Sequence, residues 1–167
     1  MPGIVGIITK QPRERAESDL RRMVGAIRHE SFYVDGTWTD DSLGLYVGWV
    51  ARQGAFADTM PLRSEDRNLT LAFSGEEFPE PGTKERLRQE GHAIDGNPAG
   101  YLVHLAEEDP EFPRGLNGRF HGLLADRRTR TAVLFNDRYG MHRIYYHQSP
   151  DAFYFAAEAK AILAVLP

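Results

Sequence analysis

The chain has 167 residues, 41% of them hydrophobic, and a formal net charge of −4 from 20 basic and 24 acidic side chains. That apolar content supports a packed core and excludes a disordered segment, and the slightly acidic balance offers no basic face for nucleic acid or an anionic membrane. Cysteine is absent, which removes disulfides, thiolate metal sites and cysteine nucleophiles.

No apolar run approaches the roughly 18 residues that span a bilayer. The N-terminus lacks a basic segment leading into a long apolar one, so no secretory leader is expected. A cytoplasmic protein with a single domain over residues 1–167 is the expectation. Histidines number six and are scattered, with no two at ligand spacing on one helix, so no metal site and no cofactor is expected.

The elements are predicted in chain order. Ile4-Val5-Gly6-Ile7-Ile8 is short, apolar and rich in β-branched residues, and reads as a buried strand. Ala16, Leu20, Met23, Val24 and Ile27 then form one apolar helical stripe, with Arg15, Glu17, Arg21, Arg22 and Arg28 off it. The stretch from Ser31 to Ala57 is strand-like and aromatic, with Asp35-Gly36 read as a hairpin turn and Leu43 to Val50 as a strand. Leu69 to Phe73 alternates and is expected to end at Ser74-Gly75-Glu76. A helix from about Thr83 to Glu90 should stop at Gly91. Asn97-Pro98 reads as the cap and first residue of another helix running to about Glu108. Two hairpins follow, Phe120–Ala125 with Thr131–Phe135 and Arg143–His147 with Phe153–Ala156, and Lys160 to Leu166 closes as a helix. Strands and helices in this order make an α+β fold with a mainly antiparallel sheet.

Certain blocks carry more than secondary structure. The chain opens Met1-Pro2-Gly3-Ile4-Val5-Gly6-Ile7-Ile8, and Phe73-Ser74-Gly75-Glu76 lies at its centre. Leu116-Asn117-Gly118-Arg119-Phe120, Leu124-Ala125-Asp126-Arg127, Asn136-Asp137-Arg138-Tyr139-Gly140, Tyr145-Tyr146 and Ala156-Ala157-Glu158-Ala159-Lys160-Ala161-Ile162-Leu163 follow in order. This series resembles the N-terminal glutaminase domain of asparagine synthetase-like proteins, the class II glutamine amidotransferases of the N-terminal-nucleophile (Ntn) hydrolase type. The resemblance is thin between Arg28 and Asn68. It implies a four-layer αββα sandwich of two mainly antiparallel sheets. It also implies glutamine hydrolysis feeding ammonia to an ATP-dependent synthetase domain, C-terminal or separate. No pyrophosphate-binding Ser-Gly-Gly loop of such a domain occurs in the chain. Nucleic acid and membrane are not expected partners.

The same resemblance places a cysteine nucleophile directly after the initiator methionine. Pro2 stands there, with no thiol, hydroxyl or side-chain acceptor. An asparagine-glycine-glutamate triplet supplies the family's oxyanion donors; here it reads Ser74-Gly75-Glu76. One lost donor costs about 10²–10³ in rate. A serine-aspartate pair that holds the substrate amino group aligns with Asn97-Pro98, and Pro98 brings no charge. The arginine for the substrate carboxylate has only Arg52 as a candidate. Arg28-His29-Glu30-Ser31 replaces a histidine-arginine-glycine-proline segment. The expectation is a glutaminase-like domain without glutaminase chemistry, keeping a vestigial pocket of Arg52, Ser74, Gly75, Glu76 and Pro98. A stand-alone module that binds a small molecule or peptide in that pocket is the alternative, and an amidohydrolase with an unrecognised mechanism a third.

Other conspicuous residues have plainer readings. His142 and His147 beside Tyr145 and Tyr146 read as packing or surface groups, and Glu107-Glu108-Asp109 with Glu111 as a solvated helix end. Asp137-Arg138 reads as a structural turn or ion pair, and Arg127, Arg128 and Arg130 as a solvated hairpin tip.

Overall fold

A computed structural model describes residues 3–94 and 96–166. Strand β1 (Gly3–Thr9) is buried almost throughout, and its alternation sends Val5 and Ile7 to one face and Ile4 to the other. Helix α1 (Arg13–Ile27) buries Ala16, Leu20, Met23, Val24 and Ile27, the stripe read from sequence. It has no side-chain cap at its start. Burying one such aliphatic side chain is worth roughly 1.5–3 kcal/mol, so packing on β1 and its neighbours holds α1 in place.

Strands β2 (Tyr33–Asp40) and β3 (Leu45–Arg52) extend the sheet on one side of β1. Asp35-Gly36 is not the turn between them; both residues sit inside β2. Gly36 faces Trp49, whose ring a Cβ there would meet at 2.4 Å, so the glycine makes room for an indole rather than a turn. The chain reverses at Asp41 to Gly44, where the Asp40 carboxylate accepts the Ser42 N–H at 3.0 Å and Gly44 takes φ +61°.

The remaining strands are β4 (Leu62–Arg63), β5 (Leu69–Glu77), β6 (Gly118–Asp126), β7 (Thr131–Asn136), β8 (Tyr145–Gln148) and β9 (Ala152–Ala156). They complete a five-stranded sheet, β2-β3-β1-β9-β8, and a four-stranded one, β4-β5-β6-β7, with every pairing antiparallel. Strand β5 runs on through Ser74-Gly75-Glu76 instead of ending there, because the β6 backbone pairs with it as far as Glu77.

Helices α2 (Thr83–Gln89) and α3 (Tyr101–Glu108) cover the second sheet, and the short α4 (Ala159–Leu163) joins α1 on the first. Helix α3 starts three residues after Pro98. The Asn97 side chain accepts the Ala99 N–H at 2.9 Å and closes a separate turn first. Helix α4 is also shorter than the expected span to Leu166. Three apolar clusters separate four layers. Val5, Leu20 and Ile162 lie between helices and the first sheet; Ile4, Trp49, Leu123 and Phe155 between the sheets; Phe73, Tyr101, Leu102 and Phe120 between the second sheet and its helices. This is the four-layer αββα sandwich that the resemblance implies. Among the described residues no helix is long and apolar enough to cross a membrane.

Candidate functional site

Strand β3 ends in Ala51-Arg52, β5 passes through Ser74-Gly75-Glu76 just before its end at Glu77, and β6 opens at Gly118-Arg119. These strand ends surround a cavity of about 290 Å³, which Ala55, Phe56, Ala57, Arg119 and His142 also line. The loop carrying Phe56 is held by the Ala55 N–H on the Arg52 carbonyl at 3.0 Å and the Gly54 N–H on Asp58 at 2.7 Å. Phe56 packs edge-on against Phe73 and Tyr101, with centroids at 6.1 and 6.3 Å. The rim carries both signs of charge: Arg52, Arg119 and Glu76 are exposed, and Glu76 lies opposite Arg119 in the strand register.

Gly75 has φ +117°, and a Cβ there would come within 2.1 Å of the Arg119 carbonyl. Only glycine fits this backbone crossing. Beyond it, the buried Glu77 carboxyl accepts a hydrogen bond from the Tyr101 hydroxyl and fastens α3 to the strand. Burial pushes the Glu77 carboxyl up. The Tyr101 hydroxyl is pushed up by burial and then by Glu77 itself.

His121, opposite Ser74 in the register, is 3% exposed. Its Nε2 accepts the Ile4 N–H at 3.3 Å, which ties the two sheets together and places the ring proton on Nδ1. That Nδ1 is the one buried side-chain polar atom without a partner among the described residues. Burial, reinforced by neighbouring His142, pushes the His121 pKa down to about 4. The imidazole is therefore neutral at physiological pH. His142 borders both the first cavity and a second of about 500 Å³ that His121, Arg143, Glu158 and Lys160 line.

Asp137 sets the position of His142. Its Oδ1 accepts the Tyr139 and Met141 N–H groups at 3.1 and 3.0 Å, and its Oδ2 the His142 N–H at 2.7 Å. Burial alone would raise this carboxyl, but the backbone N–H bonds outweigh it and hold the pKa below the usual range. Asp137 is a turn organiser, and no ion pair to Arg138 forms among the described residues.

A sequence profile for the glutamine amidotransferase domain matches residues 1–166. The chain belongs to the glutamine amidotransferase domain family. Among solved structures it is similar to the glutamine phosphoribosylpyrophosphate amidotransferase of B. subtilis, solved with ADP and GMP. The two share 17% identity at a TM-score of 0.69, over 98% of this chain and 43% of that one. That likeness is one of fold, and the chain spans less than half the length of the larger protein. No curated protein matches in sequence.

Within this amidotransferase domain, Arg52, Ser74, Gly75 and Glu76 come together on the first cavity. Pro98 does not join them; it is exposed, and its carbonyl accepts a hydrogen bond from Lys84 at 3.3 Å. Pro2 lies outside the described residues. Gly3, the first of them, is pressed against Ala157 and His121. Phe56, Arg119, His121 and His142 were not legible as site residues. Only Arg119, inside the Asn117-Gly118-Arg119-Phe120 block, sits in a recognisable motif. A roomier groove of about 760 Å³ opens at the opposite end of the sheets, lined by the turns at Asp41–Gly44 and Gln148–Asp151. It gathers none of the strand-end residues that build the first cavity.

Proposed function

We propose that this domain is a catalytically silent glutaminase-like module, the N-terminal domain or a stand-alone relative of an asparagine synthetase-type amide-forming enzyme. The observation that carries this reading is the pairing of a formed cavity, walled by Arg52, Ser74, Gly75 and Glu76, with a chain that contains no cysteine. A thiolate nucleophile cannot come from this sequence. The contacts of the Ser74 hydroxyl on the cavity wall support the same reading. Among the described residues no side chain hydrogen-bonds Ser74, whereas a serine nucleophile needs a base within about 2.6–3.2 Å. In an amide-forming enzyme that takes its amine from elsewhere, such a domain serves to support the synthetase part. Incubation of the purified chain with glutamine is expected to release ammonia no faster than a buffer blank. Turnover clearly above the blank overturns silence.

A second reading has its own support. The cavity is near the lower limit of ligand pockets, about 300 Å³, and carries Arg52 and Arg119 against Glu76. That size and charge pattern suit an amino-acid-sized zwitterion held without turnover. A thermal-shift titration with glutamine, glutamate and asparagine tests it: a saturable shift supports a binding role, and no shift with any of them removes it.

A further inference from the structure

Two histidines distant in sequence meet on the helical face of the second sheet, away from the cavity. Helix α2 ends in a Schellman turn. The His92 N–H bonds the Leu87 carbonyl at 3.0 Å, the Gly91 N–H bonds Arg88 at 3.1 Å, and Gly91 takes φ +96°. This turn swings His92 onto α3, where His104 and Glu107 share a face at i, i+3. The imidazole centroids of His92 and His104 lie 4.5 Å apart, with the rings tilted by 39°.

One carboxylate oxygen faces both rings. Glu107 Oε2 lies 2.7 Å from His104 Nδ1 and 3.8 Å from His92 Nδ1. Two nitrogens and an oxygen around a tetrahedral zinc at 2.0–2.1 Å are about 3.3 Å apart, between these two distances. The surroundings favour the same arrangement. His92 Nε2 lies 3.0 Å from Glu108. The tautomer that donates Nε2–H to Glu108 turns the Nδ1 lone pair toward Glu107, which is the carboxylate–histidine–metal pattern. Arg86 bonds Glu108 at 2.7 Å and Glu90 at 2.6 Å, engaging the outer carboxylates and leaving Glu107 to the rings. His104 is 4% exposed, so one ligand is held rigidly by the core.

We propose that His92, His104 and Glu107 form a binding site for a divalent metal of the zinc type, which clamps the loop after α2 onto α3. Three protein ligands leave a fourth position for water. Only an imidazole nitrogen with a free lone pair binds the metal, so affinity weakens as the pH falls. The site is separate from the cavity, and its failure would leave the glutaminase-like reading untouched.

Calorimetric titration of Zn²⁺ into the untagged, chelator-treated chain at pH 7.5 tests this. One equivalent should bind at micromolar or tighter Kd and raise the Tm, and EDTA should reverse the rise. His92→Ala removes a partly exposed ligand and should weaken binding at least about tenfold while the circular dichroism spectrum is unchanged. Glu107→Gln should do the same, which keeps the test decisive if loss of the buried His104 prevents folding. Co²⁺ should give the visible absorption of a tetrahedral site in the parent and lose it in His92→Ala. No saturable binding, or equal binding in the parent and both variants, overturns the proposal. Binding that survives in both would place zinc elsewhere, and a stable apo cluster without affinity would make these groups an ion-pair network only.

Discussion

The two ends of the sandwich handle buried polar groups in opposite ways. At the turn end, Asp40 is 3% exposed and fully engaged: it accepts from the Ser42 N–H and hydroxyl and from Arg127 Nε at 2.6 Å, joining a hairpin of one sheet to a hairpin of the other. Burial alone would raise its carboxyl; the Ser42 and Arg127 bonds outweigh that and hold it below the ordinary range. At the cavity end, His121 is equally buried, yet its Nδ1 has no partner and Ser74 makes no side-chain bond among the described residues. Native structures satisfy nearly all buried polar groups, and each exception calls for its own explanation. The comparison divides the molecule into an end whose side-chain hydrogen bonds join the two sheets and an end where strand termini open into the cavity.

Three measurements bear on that division. The largest expected effect is at the cavity end. An unfolded histidine takes up a proton near pH 6.5, whereas folded His121 resists it until about 4. Between those values the unfolded state binds the extra proton, so stability falls as the pH drops from about 6.5 to about 4, by up to roughly 3 kcal/mol. Denaturant unfolding across that range should show the loss, and His121→Gln should flatten it. An unchanged slope in the variant would assign the acid sensitivity elsewhere.

Asp40→Ala, at the other end, should cost about 2 kcal/mol, since it removes a buried acceptor of charge-assisted hydrogen bonds. Its stabilisation is present above a carboxyl's ordinary value and is lost as the pH falls through its lower folded value, below the His121 window. Urea denaturation at pH 7 measures this, and a change under about 0.5 kcal/mol would show that the Asp40–Arg127 clamp is not needed. The smallest expected effect is on activity. Pro2→Cys alone should leave ammonia release from glutamine at the blank, because on the proposed reading Ser74 also stands where the resemblance puts an oxyanion asparagine. Robust turnover would mean that the rest of the pocket is intact.

Much of the fold was readable from residues in order. The stripe Ala16-Leu20-Met23-Val24-Ile27 is the buried face of α1, because helical period and burial coincide there. The hairpins β6–β7 and β8–β9 follow their turn residues. Asp35-Gly36 misled because glycine serves two purposes: a turn and a close approach look alike in sequence, and only Trp49 across the sheet distinguishes them. The basic tip is solvent-exposed as expected, and the sequence does not tell that Arg127 also bonds Asp40 and Arg130 the Ser42 carbonyl at 3.2 Å. The site was half legible. Ser74-Gly75-Glu76 stood out as a motif, whereas Phe56 and His142 reach the cavity through loops whose course depends on distant anchors such as Asp137.

By itself the sequence determined the class of fold, the family blocks and the absence of any thiol, because periodicity, turn chemistry and residue identity are local properties. Tertiary structure decided which polar groups meet. It set His121 against Ile4 and stripped it of water, brought His92 and His104 to one carboxylate, and left Pro98 outside the cavity. Those outcomes rest on strand register, on how α2 ends and on the path of the chain between them. None of these is a property of the residues concerned.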